Sequence, residues 1–96
     1  MAHFPVEKEE ENFFTYNPNV KPVPVIASFN CEGKIIPLYF RYEGLKLKVD
    51  NVKWISDRME YIIKYCCEVT LQDRVQEVIL FYFKKRDVWT MERIKE

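Results

Sequence analysis

Glycine and histidine are scarce in this sequence, and their scarcity argues against several kinds of catalytic site. The chain has two glycines and one histidine. Neither the G-x-x-x-x-G-K-[ST] loop nor the G-x-G-x-x-G turn that bind nucleotide phosphates occurs, since the two glycines are Gly33 and Gly44. His3 precedes every segment with β-strand character, so a Ser-His-Asp or Cys-His site has no base beside its nucleophile. We therefore expect that the protein is not an enzyme.

Paired carboxylates leave one catalytic alternative open. Glu68 and Glu77 can face each other across a predicted hairpin, and two facing carboxylates can perform acid–base chemistry. The simpler interpretation is that they are two solvated strand residues opposite basic neighbours, and we favour it.

The small number of cysteines argues against a disulfide framework and against a metal centre. There are three cysteines, and an odd number cannot all pair within one chain. Cys66 and Cys67 are adjacent, so in a strand they point to opposite faces and cannot bridge each other. No C-x-x-C motif occurs. We expect free, mostly buried thiols in a reducing cytoplasm, with no metal site and no cofactor.

Long hydrophobic runs are also lacking. The longest apolar run covers residues 78–83, whereas a membrane-spanning helix needs about 20 residues. The N-terminus has no basic segment followed by an apolar one, as a secretion signal would. We expect a cytoplasmic protein that does not enter the membrane.

Charge is balanced over the whole chain but distributed unevenly along it. Residues 1–20 hold four glutamates and one lysine, a net charge of −3, and the overall balance of 15 basic and 15 acidic residues leaves +3 for residues 21–96. A chain of 96 residues fits one compact domain. We predict a loosely ordered acidic N-terminal arm over residues 1–20 and a single β domain over residues 21–96. Such an arm can lie over a positive surface and compete with an anionic partner.

From Val23 onward, apolar and polar residues alternate in short segments that are separated by turn signals. Both glycines, Gly33 and Gly44, fall between such segments, where a left-handed conformation closes a hairpin. The pattern predicts an all-β fold, a six-stranded antiparallel meander that forms a small barrel or roll. The predicted strands cover residues 23–29, 35–42, 45–55, 60–70, 75–83 and 88–94.

Three details of these strands carry separate expectations. Pro37 cannot donate a ladder hydrogen bond, so it predicts an edge or a bulge. Apolar positions change parity near Asp50 and Asn51, which predicts a β-bulge in the third strand. Residues 56–65 have an alternative helical interpretation, which the β-branched and aromatic residues of 60–70 disfavour.

One predicted sheet face combines aromatic and basic side chains. Tyr39 and Arg41 should lie beside Lys46 and Lys48 across the hairpin at Glu43 and Gly44. Small barrels hold single-stranded nucleic acid with this combination, using cations for phosphates and rings for bases. Exposed lysines are also an ordinary device for solubility and edge protection. These four residues are the candidate binding residues.

Aromatic residues are abundant, at 16% of the chain, and some of them should lie at an interface. The run from Phe81 to Phe83 must place rings on both sides of its strand. One side then needs a cover, which the N-terminal arm, a second subunit or another partner could supply. Phe81, Phe83 and Trp89 are therefore interface candidates, and a homodimer is one possible assembly.

The stretch from Ile35 to Ile94 resembles a group of short uncharacterised bacterial proteins rich in β-structure. The resemblance lies in Ile36-Pro37-Leu38-Tyr39-Phe40-Arg41-Tyr42, in Leu47-Lys48-Val49-Asp50, and in an aromatic strand closed by Trp89 before Glu92-Arg93-Ile94. It implies a small β-rich domain. That group has no established activity, so no functional residue is carried over.

Together these patterns favour a non-enzymatic cytoplasmic binding or accessory module that acts through the aromatic and basic face. Its partner is expected to be a protein, or a second copy of the chain. A small β-barrel that binds single-stranded nucleic acid is the alternative. An enzyme subunit whose site forms only with a partner is a third hypothesis.

Overall fold

The computed structural model describes residues 20–92, which form eight strands in two antiparallel sheets. The all-β prediction is confirmed, whereas the prediction of six strands is wrong. Most of the predicted N-terminal arm (residues 1–19) and the end of the last predicted strand (residues 93–94) lie outside the described residues. The strands are β1 (Val20–Pro22), β2 (Val25–Phe29), β3 (Ile35–Tyr42), β4 (Leu45–Lys48), β5 (Asn51–Ser56), β6 (Ile62–Leu71), β7 (Arg74–Phe83) and β8 (Val88–Glu92).

The larger sheet has the strand order β1-β8-β7-β6-β5, and the smaller has the order β2-β3-β4. Strands β5 to β8 form the predicted meander, since each pairs with the next along the chain. The prediction of a single closed barrel or roll is wrong, because the chain divides into two open sheets. The strand β1 was not expected, and it pairs with β8 at the far edge of the larger sheet.

The predicted third strand is divided because the chain changes sheets within it. Val49 and Asp50 belong to no strand, and they link β4 of the smaller sheet to β5 of the larger one. The parity change in the sequence therefore marks a corner between sheets. A bulge follows at Lys53, where the register of β5 against β6 shifts.

The bulge expected near Pro37 is present. Ile26 pairs with Tyr39 and Ala27 pairs with Pro37, so Leu38 is the extra residue. A bulge reverses side-chain alternation. Ile35, which precedes the bulge, therefore packs against the core, and Phe40, which follows the bulge, is buried in the same core.

The helical interpretation of residues 56–65 is also wrong. Residues 57–61 form an irregular link, and the next ten residues, Ile62–Leu71, pair with β7 along their whole length. Within residues 20–92 there is no helix with the length and apolar character needed to cross a membrane.

The main core lies between the two sheets. Phe40 and Leu47 of the smaller sheet pack there with Leu80 and Tyr82 of the larger one. The Tyr65 hydroxyl joins the sheets directly, since it donates a hydrogen bond of 2.6 Å to the Ile35 carbonyl oxygen. The other core residues are Val23, Tyr65, Cys67, Val69, Val78, Trp89 and Met91.

A second apolar cluster lies on the opposite face of the larger sheet. Its buried members are Ile62, Phe81 and Phe83, which are 0%, 3% and 0% exposed. Phe81 and Phe83 alternate along β7 with Leu80 and Tyr82 of the main core, so they point away from the smaller sheet. We call this the outer cluster.

Candidate functional site

The candidate site is built on the β3–β4 hairpin, whose two-residue turn fixes its register. Glu43 and Gly44 both have positive φ angles, 50° and 78°, as a type I′ hairpin turn requires. This turn places Arg41 opposite Lys46, and Tyr39 opposite Lys48. Directly opposed residues share a sheet face, so the structure brings the four predicted binding residues together.

A fifth residue of this face was not found by sequence analysis. Ile26 of β2 pairs with Tyr39 and is 54% exposed, so it adds an apolar side chain beside the tyrosine ring. The register that places it there depends on the bulge at Leu38, which the alternation within β2 alone does not reveal. We call the face formed by Ile26, Tyr39, Arg41, Lys46 and Lys48 the basic-aromatic face.

Within the part of the chain that the structure describes, no ion pair neutralises the positive charge of the basic-aromatic face. Arg41, Lys46 and Lys48 are exposed, and none of them joins the three ion pairs found within residues 20–92, which are Lys21–Glu43, Lys53–Glu77 and Lys84–Asp57. Like charges placed directly opposite each other destabilise a sheet. The pairing of Arg41 with Lys46 is therefore unfavourable to folding, and an anion bound between them would relieve it.

An open pocket of about 170 Å³ lies on this face. Pro24 and Ile26 contribute apolar wall, while Arg41 and Lys46 contribute the cationic part. The remaining lining residues are Val25, Tyr39 and Phe40. A pocket of this composition suits a ligand that presents an apolar group next to a negative charge.

A lysine side chain already lies over the ring of Tyr39. The Lys46 Nζ lies 4.6 Å from the centre of this ring, within the range of a cation–π contact. The ring is also only partly exposed. Both features limit the ring surface on which a nucleic-acid base could stack.

The three interface candidates are buried and lie on two different faces. Trp89 packs in the main core, with its ring centre 5.0 Å from that of Tyr82. Phe81 and Phe83 belong to the outer cluster. Among the described aromatic residues, Phe29 and Trp54 are the strongly exposed ones, at 67% and 44%, and sequence alternation did not single them out.

The carboxylates Glu68 and Glu77 are cross-strand partners, and each has a hydrogen-bond donor. Asn51 Nδ2 donates to Glu68 at 3.1 Å, and Lys53 donates to Glu77. The hydrogen bond that Lys53 donates to Glu77 lowers the pKa of Glu77 and raises the pKa of Lys53. An acid–base pair needs one carboxyl with a raised pKa, so this geometry favours the interpretation as solvated strand residues.

The thiol nearest these carboxylates is held in its protonated form. Cys66 lies with its Sγ 3.9 Å from Glu77 Oε1, and burial raises its pKa, with a further contribution from the negative charge of Glu77. A raised pKa makes a thiol a poor nucleophile at neutral pH. Within residues 20–92 no three His, Cys, Asp or Glu side chains are grouped so that they could hold a metal ion.

Comparison with known proteins adds no functional assignment to this geometry. A scan against models of protein families, a search of curated proteins and a search of solved structures each find no match to the chain.

Proposed function

We propose that this protein is a non-enzymatic binding module of the cytoplasm, and that its basic-aromatic face binds an acidic segment of a partner protein. The observation that carries the proposal is that Arg41 and Lys46 line an open pocket with apolar walls and form no ion pair with any of residues 20–92. Lys48 adds a third such cation on the same face.

The pocket supplies the apolar part of the interaction. Ile26 is 54% exposed there, so a partner side chain that covers it removes apolar surface from water. Full burial of one leucine-sized side chain contributes about 1.5–3 kcal/mol. An apolar residue between two acids in an extended partner segment matches the pocket and its cationic part.

The cationic side chains orient the partner segment and raise the rate at which it associates. Arg41 can bind a carboxylate with two parallel hydrogen bonds, and Lys46 lies directly opposite it on the next strand. Charges at the rim of an interface mainly raise the association rate, and salt weakens their effect. Binding is therefore expected to slow as ionic strength rises, while an apolar contribution persists.

The state of Tyr39 favours a protein partner over single-stranded nucleic acid. Base stacking on an aromatic ring contributes about 1–3 kcal/mol per base, but it needs an open ring face. Lys46 lies over this ring at 4.6 Å, so a base would first have to displace the lysine. The acidic peptide needs no such rearrangement, since the lysine remains available to a carboxylate.

Fluorescence anisotropy with the full chain tests the proposal. The probe is a short labelled peptide of alternating glutamate and leucine residues, and a labelled single-stranded oligonucleotide is titrated in parallel. Lys46→Glu and Arg41→Glu should each weaken peptide binding by at least about tenfold, which corresponds to 1.4 kcal/mol. Arg74→Glu is the matched control, because Arg74 is an exposed cation on β7 of the other sheet.

Each outcome bears on the proposal. Peptide binding that is lost in Lys46→Glu and kept in Arg74→Glu supports it. Tighter binding of the oligonucleotide than of the peptide overturns it in favour of the nucleic-acid alternative. Absence of binding at low salt, or equal losses in all three variants, also overturns it.

A further inference from the structure

The backbone of β4 is open along one side. Among the described strands, β4 pairs only with β3, and it forms one edge of the smaller sheet. The side chains of Leu45, Lys46 and Lys48 are exposed to solvent. An open edge strand presents N–H and C=O groups with which a further strand can pair. An extended segment of a partner can therefore be added along β4.

The register of the hairpin determines which backbone groups point to this edge. The Val49 N–H donates to the Leu38 carbonyl oxygen at 2.8 Å, and this bond flanks the pair formed by Tyr39 and Lys48. In an antiparallel ladder, a pair flanked in this way does not exchange hydrogen bonds itself, and such pairs alternate with bonded ones. The N–H and C=O groups of Lys48, and of Lys46 two residues earlier, therefore point away from β3 to the open edge.

The charge of β4 distinguishes it from the other edge strands that the structure describes, which are β1, β2 and β5. β2 has no charged residue. Lys21 of β1 and Lys53 of β5 each form an ion pair with a glutamate. Lys46 and Lys48 join none of the ion pairs found within residues 20–92. Among these four edges, β4 is the one whose cations are available to an acidic strand.

We propose, in dependence on the function proposed above, that the acidic segment of the partner adds to β4 as a fourth, antiparallel strand of the smaller sheet. Its acidic residues lie opposite Lys46 and Lys48 and exchange backbone hydrogen bonds with them. Cross-strand pairs of opposite charge stabilise a sheet. The alternate residues of the segment lie on the other face, beside Leu45, whose apolar side chain is 53% exposed. The partner segment is therefore a short strand in which acidic and apolar residues alternate.

Lys46 connects this edge to the pocket of the basic-aromatic face. It lies on β4 and also lines the pocket. A segment that leaves the edge near Lys46 therefore passes the pocket, where Ile26 provides a further apolar contact. The added strand positions the segment, and the pocket takes a side chain from its continuation.

The same lysines disfavour pairing of β4 with a second copy of the chain. Because the outward backbone groups belong to Lys46 and Lys48, two paired β4 strands would place these lysines opposite each other. Like charges in that position destabilise a sheet, and lysine on an edge strand commonly prevents such association. An acidic strand is attracted to the charges that repel a second copy, so the edge selects its partner by charge.

N-methylated peptides test the strand addition, with fluorescence anisotropy and the full chain. The probe is the labelled peptide of alternating glutamate and leucine residues. One derivative carries N-methyl groups on its central glutamate amides, and its matched control carries them on the central leucine amides. In the proposed arrangement only the glutamate N–H groups donate to β4. Methylation of glutamate should therefore weaken binding by at least about tenfold, and methylation of leucine by much less.

Amide hydrogen exchange provides a second measurement on the protein itself. The amide protons of Lys46 and Lys48 should exchange at least about tenfold more slowly when the unmodified peptide is bound. The amide of Leu47 is the internal control, because Leu47 pairs with Phe40 within the hairpin and its N–H points away from the open edge. Equal slowing of all three amides would contradict the added strand.

The outcomes separate this proposal from the function on which it depends. If the unmodified peptide binds and the two methylations have equal effects, or only leucine methylation weakens binding, the added strand is overturned while the proposed function stands. If the unmodified peptide does not bind at low salt, both are overturned. A loss confined to glutamate methylation supports both.

Discussion

Tyr65→Phe should destabilise the protein, because the Tyr65 hydroxyl is a direct polar link between the two sheets. Its hydrogen bond to the Ile35 carbonyl is 2.6 Å long, and the residue is 1% exposed. A hydrogen bond contributes about 0.5–1.5 kcal/mol net, and a buried partner left unsatisfied costs about 1–3 kcal/mol. The ring is retained, so no large cavity adds to the loss. We expect the free energy of unfolding to fall by about 1–2 kcal/mol.

Urea denaturation measures this loss, with the free energy of unfolding extrapolated linearly to zero denaturant. The slope of that line should be unchanged, because the same surface is exposed on unfolding. For a domain of this size each kcal/mol corresponds to about 4–8 °C in the thermal midpoint. Tyr42→Phe is the matched control, because Tyr42 is only partly buried and contacts Lys21 through its ring. Equal stability of Tyr65→Phe and the wild-type chain would refute the role given to this hydrogen bond.

Three further predictions concern other parts of the fold. Thr90 is fully buried and its Oγ1 has no hydrogen-bond partner among residues 20–92, so Thr90→Val should raise the free energy of unfolding by about 1 kcal/mol in the same urea experiment. Gly44 has a φ angle of 78°, so Gly44→Ala should lower the free energy of unfolding by about 1–2 kcal/mol. Gly44→Asn should lower the free energy of unfolding by less. Burial raises the pKa of Cys67, Tyr65 and Tyr82 to about 12 each. In the unfolded chain these groups ionise at lower pH, with pKa values of about 8.5 for the thiol and 10 for the phenols. Their contribution to the free energy of unfolding should therefore be fully present below pH ~8.5 and be lost progressively towards pH 12. An unchanged thermal midpoint over that range would contradict these pKa directions.

Local hairpins were predictable from the sequence because their turns have specific residue requirements. Gly33 and Gly44 have positive φ angles at the turns where they were expected. The pairing of β6 with β7 and of β7 with β8 also agrees with the sequence. In each case, the residues that pair are joined by a short connection, so local pattern and tertiary structure coincide.

The division into two sheets was not predictable in the same way. At Val49 and Asp50 a bulge and a corner produce the same change of parity in the sequence, because both rotate the following side chains. The pairing of β1 with β8 joins the first and the last of the described strands. Neither Val20 nor its partner Glu92 carries a local signal for that contact.

The basic-aromatic face was predictable where it depends on one hairpin. Two features are sufficient to place Tyr39 and Arg41 beside the lysines of β4. They are the alternation of these two residues along β3 and the position of Gly44 in the turn. Ile26 was missed because its position depends on pairing with a second strand through a bulge. The pocket between these residues follows from that pairing and could not be derived from either strand alone.

Chemical-shift mapping with the acidic peptide tests the proposed function most directly, because it locates the binding surface in the intact protein. The account predicts that resonances of Ile26, Tyr39, Arg41 and Lys46 shift in proportion to bound peptide, while those of β6 to β8 stay in place. Shifts centred on the larger sheet, with the basic-aromatic face unchanged, would contradict it.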